Sequence, residues 1–400
     1  MLELEDAQAR ILAAIRPLPL EPVSLRAAAG RILAASVTAP LDLPRFDNSA
    51  MDGYAVRSRD LQAAGPGTPV TLSLGGQVSA GETGTGHVVP GTCVRVFTGS
   101  ILPPGTDAVV MQEDVRRVPD QPGQIQFSDR VKPGENVRFR GEDVRQGSRL
   151  LAAGEGLTAG GIGLLAALGL AEVTVHRQPL MGLLATGSEL VKAGQPLAPG
   201  QIYESNLASL GALLPGAGAV ARDYPLVPDD LSLTQAALAR AFDQCDVVVT
   251  TGGASVGEWD LVKSAFQALG GTVEFWKVAV RPGKPFIFGG WREKFLFGLP
   301  GNPVSALVTF LLLVRPALLR LQGARVVELP RHPGTLLEPL ANRGDRRHFV
   351  RVIVDERGQV RSAGQQASHA LSPLAKANGL VDVPPQATFA AGTVVPVLRW

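Results

Sequence analysis

From residue 177 to about 325, runs that read as strands and runs that read as helices take turns. "LMGLLATGSEL" is a strand entering a turn, and "YESNLASLGALL" is helix-like. "LSLTQAALARAFDQ" is a helix, "CDVVVTTGG" a strand and "DLVKSAFQALG" a helix. "KFLFGLPGNPVSALVTFLLLVRPALLRLQG" is a strand, a turn and a long helix. Strands joined by crossover helices run parallel, and both faces of their sheet are covered. The alternation therefore predicts a three-layer α/β domain with a parallel-type sheet.

In an open sheet of this kind, ligands bind beyond the carboxyl ends of the strands. Three turns occupy that place: "ATGSEL" (185–190), "TTGGASVGEWD" (250–260) and "GLPGNPVS" (298–305). Each puts glycine and polar residues directly after an apolar strand. Gly252 and Gly253 let the chain turn and let a ligand approach the backbone. Ser255 adds a hydroxyl. Free N–H groups at such turns, and at the helices that follow, suit an anion. The plain alternative is three ordinary turns with Ser188, Ser255 and Asn302 as helix caps; three together favour a site. Glu189, Glu258 and Asp260 would repel an anion unless a divalent cation lies between, and Mg²⁺ held by one or two carboxylates and substrate phosphates meets that need. Lys277, Arg281 and Lys284 in "FWKVAVRPGKPF" offer positive charge, with a solvated basic loop as the alternative. Of 38 basic residues only 7 are Lys, and 4 of those lie between 263 and 294.

The flanking segments read differently. "MLELEDAQARILAAIRPLPL" is an amphipathic helix with Leu4, Ile11, Leu12 and Ile15 as apolar contacts. Residues 45–141 alternate short strands with Gly/Pro turns and predict an inserted β-rich domain. The Gly161, Gly163, Ala166 spacing follows no clear strand, so tight helix packing is preferred to a dinucleotide turn. After Gly323 the text becomes strand-like to the end. Read in order, the segments are helical (1–44), β-rich (45–141), helical again (142–176), α/β (177–326) and a C-terminal β unit (327–400). The longest apolar run, Val304 to Val314, is short for a membrane span of about 20 residues. No basic leader is evident, and a cytoplasmic location is expected. A net charge of +2 argues against nucleic-acid binding through a broad basic field. Cys93 and Cys245, the only cysteines, lack zinc-site spacing. His87, His176, His332, His348 and His369 are scattered and read as structural.

The N-terminal part carries its own polar turns. Asp52 lies in "FDNSAMDGYA", Thr98 in "RVFTGSILPPGTDAVVMQED" and Asp143 in "VRFRGEDV". Each alone reads as a polar or ion-pair loop. Together with "ATGSEL", "TTGGASVGEWD", "RPGKPFIFG", "GLPGNPVSALVTF" and "SHALSPLAKANGL", these motifs stand in the order found in molybdopterin molybdenumtransferases, the MoeA-type proteins that include the gephyrin E-domain. The resemblance covers essentially the whole chain.

This resemblance implies the last step of molybdenum cofactor assembly. Adenylylated molybdopterin is bound, molybdate is inserted at the dithiolene, and AMP is released with Mg²⁺ assisting. It also implies that 1–44 and 142–176 join in an elongated helical domain with 45–141 inserted as a β-rich domain, a molybdopterin-binding α/β domain, a C-terminal β barrel, and a homodimer whose cleft takes N-terminal residues from the other subunit. Carried over by motif are Asp52, Thr98, Asp143, Glu189, Asp260 and Lys277 as catalytic positions, with Glu189 and Asp260 holding the metal. Gly252, Gly253, Ser255, Arg281, Lys284, Pro300 and Pro303 are carried over as substrate contacts. Arg281 stands where many members have Lys, so a planar fork replaces a point charge. Molybdopterin adenylyltransferase and apo-molybdoenzymes are the implied protein partners. Two other readings stand beside this one. A molybdopterin adenylyltransferase shares the α/β domain type, and a non-catalytic scaffold like the gephyrin E-domain shares the fold.

Overall fold

The computed structural model of the chain describes residues 1–83, 87–252 and 261–400. The chain forms two compact units: Met1–Ala35, Ala153–Thr158 and Glu172–Trp400 make one, and Ser36–Ala152 with Ala159–Ala171 make the other.

The first unit is built on a six-stranded sheet. Its strands are β1 (Leu180–Ala185), β2 (Val220–Asp223), β3 (Val247–Thr251), β4 (Thr272–Lys277), β5 (Pro285–Trp291) and β6 (Lys294–Leu299). Their order is β2-β1-β3-β6-β5-β4. The β-branched run Val247 to Thr251 is buried at every position, as a strand covered on both faces requires. Side chains alternate between the faces. Leu184, Val248 and Leu296 pack with Phe242 and Phe266 on one side. Leu183, Val249 and Phe297 pack on the other with Leu4, Leu210 and Leu311. These are the three layers expected.

The sheet is mixed. Strands β2, β1, β3 and β6 run parallel, but β5 is antiparallel to β6, and β4 to β5. The segment weighed as a basic loop thus supplies strand as well as loop. A chain of aromatic contacts holds this edge: Phe275 lies 5.6 Å from Phe288, which lies 5.2 Å from Phe297.

Helices cover the sheet. These are α1 (Leu4–Ala14), α2 (Asn206–Leu213), α3 (Leu231–Gln244) and α4 (Leu261–Ala268). Asp230 caps α3 by accepting from Leu233 N at 2.8 Å. In α1 the buried positions are Leu4, Ala7 and Ile11, in line with the expected apolar face. A core helix, Pro303–Leu321, follows β6. It runs past the apolar stretch read in the sequence and spans 19 residues, enough to cross a membrane by length and composition. Here it is an interior helix, with 83% of its apolar window buried in the protein. A π turn at Phe310–Val314 interrupts it. There Gln8 Nε2 donates to Leu312 O at 2.9 Å, so α1 supplies a partner to the altered backbone.

The C-terminal strands close on themselves. They are β7 (Arg331–Leu336), β8 (Arg347–Val354), β9 (Gln359–Ser362), β10 (Gly379–Val383) and β11 (Val394–Leu398). Pairing runs β8-β9-β7-β11-β10 and back to β8, a five-stranded barrel. Val350, Val352, Val360, Val381 and Val397 fill its interior. The short strand Val280–Arg281 adds to it, pairing with Arg347 and His348.

The second unit carries another six-stranded sheet, in the order Ala108–Met111, Gly53–Val56, Thr92–Val96, Val70–Val78, Gln121–Phe127, Val115–Val118. Tyr54 and Phe127 meet edge to face in its core at 6.2 Å. The glycine-rich stretch forms the helix Ala159–Ala167. Cys93 and Cys245 are free and buried, and desolvation pushes the Cys93 thiol up to about 12.

Candidate active site

The carboxyl ends of β1, β3 and β6 open on one cavity of about 1040 Å³ within the first unit. Its floor is where the three strand ends crowd together. Thr186 N donates to Thr251 O at 3.0 Å. Gly252 sits at φ +83°, and a Cβ there would lie 2.3 Å from Thr186 O. Only glycine fits both demands. A Cβ on Gly301 would lie 3.6 Å from Gly252 Cα, an ordinary contact.

The turn after β1 is tied down at several points. Gly187 N donates to Val227 O, and Ser188 exchanges two hydrogen bonds with Asp229. Ser188 therefore acts as a loop tie to Asp229. Glu189 O accepts from Ile202 N at 2.9 Å, fixing the backbone of a residue that borders the cavity. Beyond it, Glu204 accepts from Leu207 N at 2.8 Å and closes the first turn of α2. Asn206 Nδ2 donates to Gly301 O at 2.8 Å and links α2 to the turn after β6. Among the described residues, two buried polar atoms of lining residues, Thr186 Oγ1 and Asn206 Oδ1, find no hydrogen-bond partner. Such atoms are costly to leave unpaired. Asn302 stands before the core helix with no side-chain capping bond among the described residues, unlike the cap of the alternative reading; Pro303 opens the helix.

The facing wall comes from farther along the chain. Arg281, Gly283 and Lys284 border the cavity, and so do Arg346, Ser368 and His369 of the barrel domain. Arg346 donates to Val280 O at 2.9 Å, which fixes it beside Arg281. Near them His348 is buried, with neither ring nitrogen bonded among the described residues. Burial pushes its pKa down to about 4, with the charges of Arg281, Arg351 and Arg346 adding to the shift. It is neutral at pH 7. The cavity thus gathers Glu189, Arg281, Lys284 and Arg346 in one lining, an arrangement suited to a phosphorylated or oxyanionic ligand.

Of the positions singled out in the sequence, Glu189, Gly252, Arg281, Lys284, Pro300 and Pro303 line this cavity. Lys277 is not among its lining residues; its ammonium lies 3.7 Å from the Trp276 ring centre. Gly253, Ser255, Glu258 and Asp260 lie outside the described residues. Asp52, Thr98 and Asp143 belong to the second unit. Asp52 Oδ1 accepts from both Thr98 N and Thr98 Oγ1 at 2.8 Å. The Thr98 backbone and hydroxyl donors hold its carboxyl below the usual range. Asp143 is exposed, and its backbone N–H donates to Leu43 O at 3.1 Å. The sequence reading gave no role to Asp229, Asn206, Arg346 or Ser368, and treated His369 as structural. "SHALSPLAKANGL" contained a signal for Ser368 and His369, but nothing local ties that motif to the strand ends.

Family models match in the same order as these parts. The model described as "MoeA N-terminal region (domain I and II)" covers residues 2–169. "Probable molybdopterin binding domain" covers 182–320, and "MoeA C-terminal region (domain IV)" covers 333–400. A molybdopterin molybdenumtransferase of Haemophilus influenzae is 42% identical over 386 residues, spanning 94% of this chain and 93% of its own.

The chain belongs to the molybdopterin molybdenumtransferase family.

Other members agree. Molybdopterin molybdenumtransferase 2 of Mycobacterium tuberculosis is 40% identical over 402 residues, covering 99% of this chain and 98% of its own. The family fold extends to an archaeal structure. The crystal structure of a molybdopterin biosynthesis MoeA protein from Pyrococcus horikoshii superposes with a TM-score of 0.87 at 30% identity, covering 100% of both chains.

Proposed function

We propose that this protein is a molybdopterin molybdenumtransferase: it inserts molybdate into adenylylated molybdopterin, releases AMP and so completes the molybdenum cofactor. The observation that carries the reading is the cavity at the three strand ends, whose lining includes Glu189 together with Arg281, Lys284 and Arg346. A polyanionic substrate and a second anion meet in one place only where fixed positive charge offsets their repulsion. Arg281 and Arg346 offer planar forks to oxyanions, and Lys284 a compact charge. Thr186 and Asn206 belong to the same lining.

Mg²⁺ fits this donor set. Among the described residues no group of three or more His, Cys, Asp or Glu is poised to cage a metal. A carboxylate and phosphate oxygens are what Mg²⁺ takes, and Glu189 supplies the former. Asp260 is proposed as the second carboxylate. Held there by Glu189 and Asp260, Mg²⁺ would supply charge neutralisation for a phosphoanhydride. The chain's own part is to hold the phosphates against Arg281 and Lys284, keep Glu189 aimed inward and exclude bulk water behind the Gly252–Thr186 floor. No nucleophilic His or Cys is required for such a step, because charge neutralisation and positioning dominate phosphoryl chemistry.

The reading includes a homodimer in the cytoplasm. In it Asp52, Thr98 and Asp143, assigned by resemblance, serve the cavity of the partner subunit. Apo-molybdoenzymes and a molybdopterin adenylyltransferase are its proposed partners.

The test is incubation of purified protein with adenylylated molybdopterin, Mg²⁺, and molybdate present or absent. AMP release and active cofactor that both depend on molybdate support the assignment. Consumption of ATP with pyrophosphate release would make the protein an adenylyltransferase instead, and silence in both assays would favour a scaffold.

A further inference from the structure

Arg351 on β8 is 1% exposed, yet no carboxylate neutralises it among its hydrogen-bond partners. Its guanidinium donates instead to Ala370 O at 2.9 Å, Gln365 O at 2.8 Å and Ala367 O at 3.1 Å. Its backbone N–H donates to Gln366 Oε1 at 2.9 Å, and Gln366 Nε2 returns a bond to Arg351 O at 3.0 Å. Gln366 also donates to Gly364 O at 3.0 Å. Loop 363–370 is therefore wrapped around one buried fork.

The other side of that loop is the cavity wall. Gln366, Ala367, Ser368 and His369 all border the cavity. At the front, Ser368 O accepts from Val304 N at 3.0 Å, at the start of the core helix. The loop is stitched behind by Arg351 and in front by the strand-end helix. A barrel needs no buried charge for stability, since apolar replacement of buried ionic groups is often neutral or stabilising. A planar fork that fixes three carbonyls at once does something an apolar residue does not: it specifies the path of the loop.

We propose that Arg351, acting with Gln366, is a positioning residue that sets Ser368 and His369 against the substrate cavity. This rests on the proposed function for what the cavity turns over, but not for the clamp itself. Displacement of a substrate-positioning group by about 1 Å costs on the order of 100-fold in rate.

The experiment compares full-length wild type with Arg351→Lys, Gln366→Ala, Ser368→Ala and Arg351→Lys/Ser368→Ala. Lys keeps the charge and loses the fork. Turnover is measured as molybdate-dependent AMP release, with kcat and KM for molybdate separated. Molybdate binding and hydrogen exchange over 362–370 are measured beside it. Arg351→Lys is expected to lose about 100-fold in kcat/KM, with loop protection lost and protection of β1 and β3 retained. Gln366→Ala is expected to shift the same readouts in the same direction, and it decides the matter if Arg351→Lys does not fold. The double variant is expected to be no worse than Arg351→Lys alone, because both changes act through one loop. Wild-type turnover and loop protection in both Arg351→Lys and Gln366→Ala would overturn the proposal, as would fully additive losses in the double variant. Should wild type release no AMP, the functional reading fails. Exchange and molybdate binding then still decide the clamp: unchanged values in the variants overturn it, and lost protection with weaker binding upholds it.

Discussion

Ser188 and Asp229 hold each other reciprocally: Ser188 N donates to Asp229 Oδ2 at 3.0 Å, and Asp229 N donates to Ser188 Oγ at 3.0 Å. The pair ties the turn after β1 to the segment that leads into α3, and Glu189 is the next residue. Asp229→Ala removes an acceptor from an exposed loop, so the stability loss should be small, about 1 kcal/mol. The effect on turnover should be much larger, because Glu189 loses its brace. Thermal unfolding and AMP release on the same preparation check this; equal, minor changes in both would disconnect the pair from the site.

Glu189→Gln keeps the shape of the side chain and removes its charge. Mg²⁺-dependent AMP release should fall by about 100-fold or more, with fold and oligomeric state unchanged. Raising Mg²⁺ should recover part of the activity if the carboxylate serves the cation. Wild-type turnover at all Mg²⁺ concentrations would remove Glu189 from the mechanism.

Gly252→Ala and Gly301→Ala should behave differently. The first places a methyl 2.3 Å from Thr186 O in a left-handed backbone, whereas the second finds only an ordinary 3.6 Å contact. Gly252→Ala is therefore expected to cost about 3 kcal/mol or more, combining backbone strain with the clash. Gly301→Ala should cost under about 1 kcal/mol. Denaturant midpoints of the two variants, read against wild type, settle it; similar values would refute the crowded floor.

His348 should make the protein acid-sensitive. Its folded pKa of about 4 lies below the unfolded value of 6.5. Between those values the unfolded chain binds the proton and the folded one does not. Stability from this group is thus full above pH 6.5 and declines as pH falls toward 4, by roughly 3 kcal/mol in all. The charges of Arg281, Arg351 and Arg346 oppose its protonation. Denaturant unfolding at pH 7 and pH 5 should show a smaller pH dependence in His348→Phe than in wild type. Parallel pH profiles would refute the assignment.

Much of the α/β layer was legible because its signals are local. β3 is a β-branched run, α3 carries its cap at Asp230, and the strand-end glycines follow directly on apolar residues. The antiparallel edge was not legible, since "RPGKPF" breaks periodicity and the Phe275–Phe288–Phe297 contacts that hold it are tertiary. The π turn in the core helix leaves no mark in an unbroken apolar run. For the site, Glu189, Gly252 and Pro303 announced themselves by position after strands. Arg346 and Ser368 did not, because pairing of Val280–Arg281 with Arg347–His348 brings them there, and that register is set by barrel closure. Lys277 shows the converse: its neighbours in sequence border the cavity, yet its ammonium stacks on Trp276.

The most direct measurement is to locate molybdenum by anomalous diffraction in crystals grown with molybdate, AMP and Mg²⁺. The account expects the metal inside the strand-end cavity, within reach of Arg281, Lys284, Arg346 or Ser368. Molybdenum bound elsewhere on a well-ordered protein, with that cavity holding neither oxyanion nor nucleotide, would contradict it.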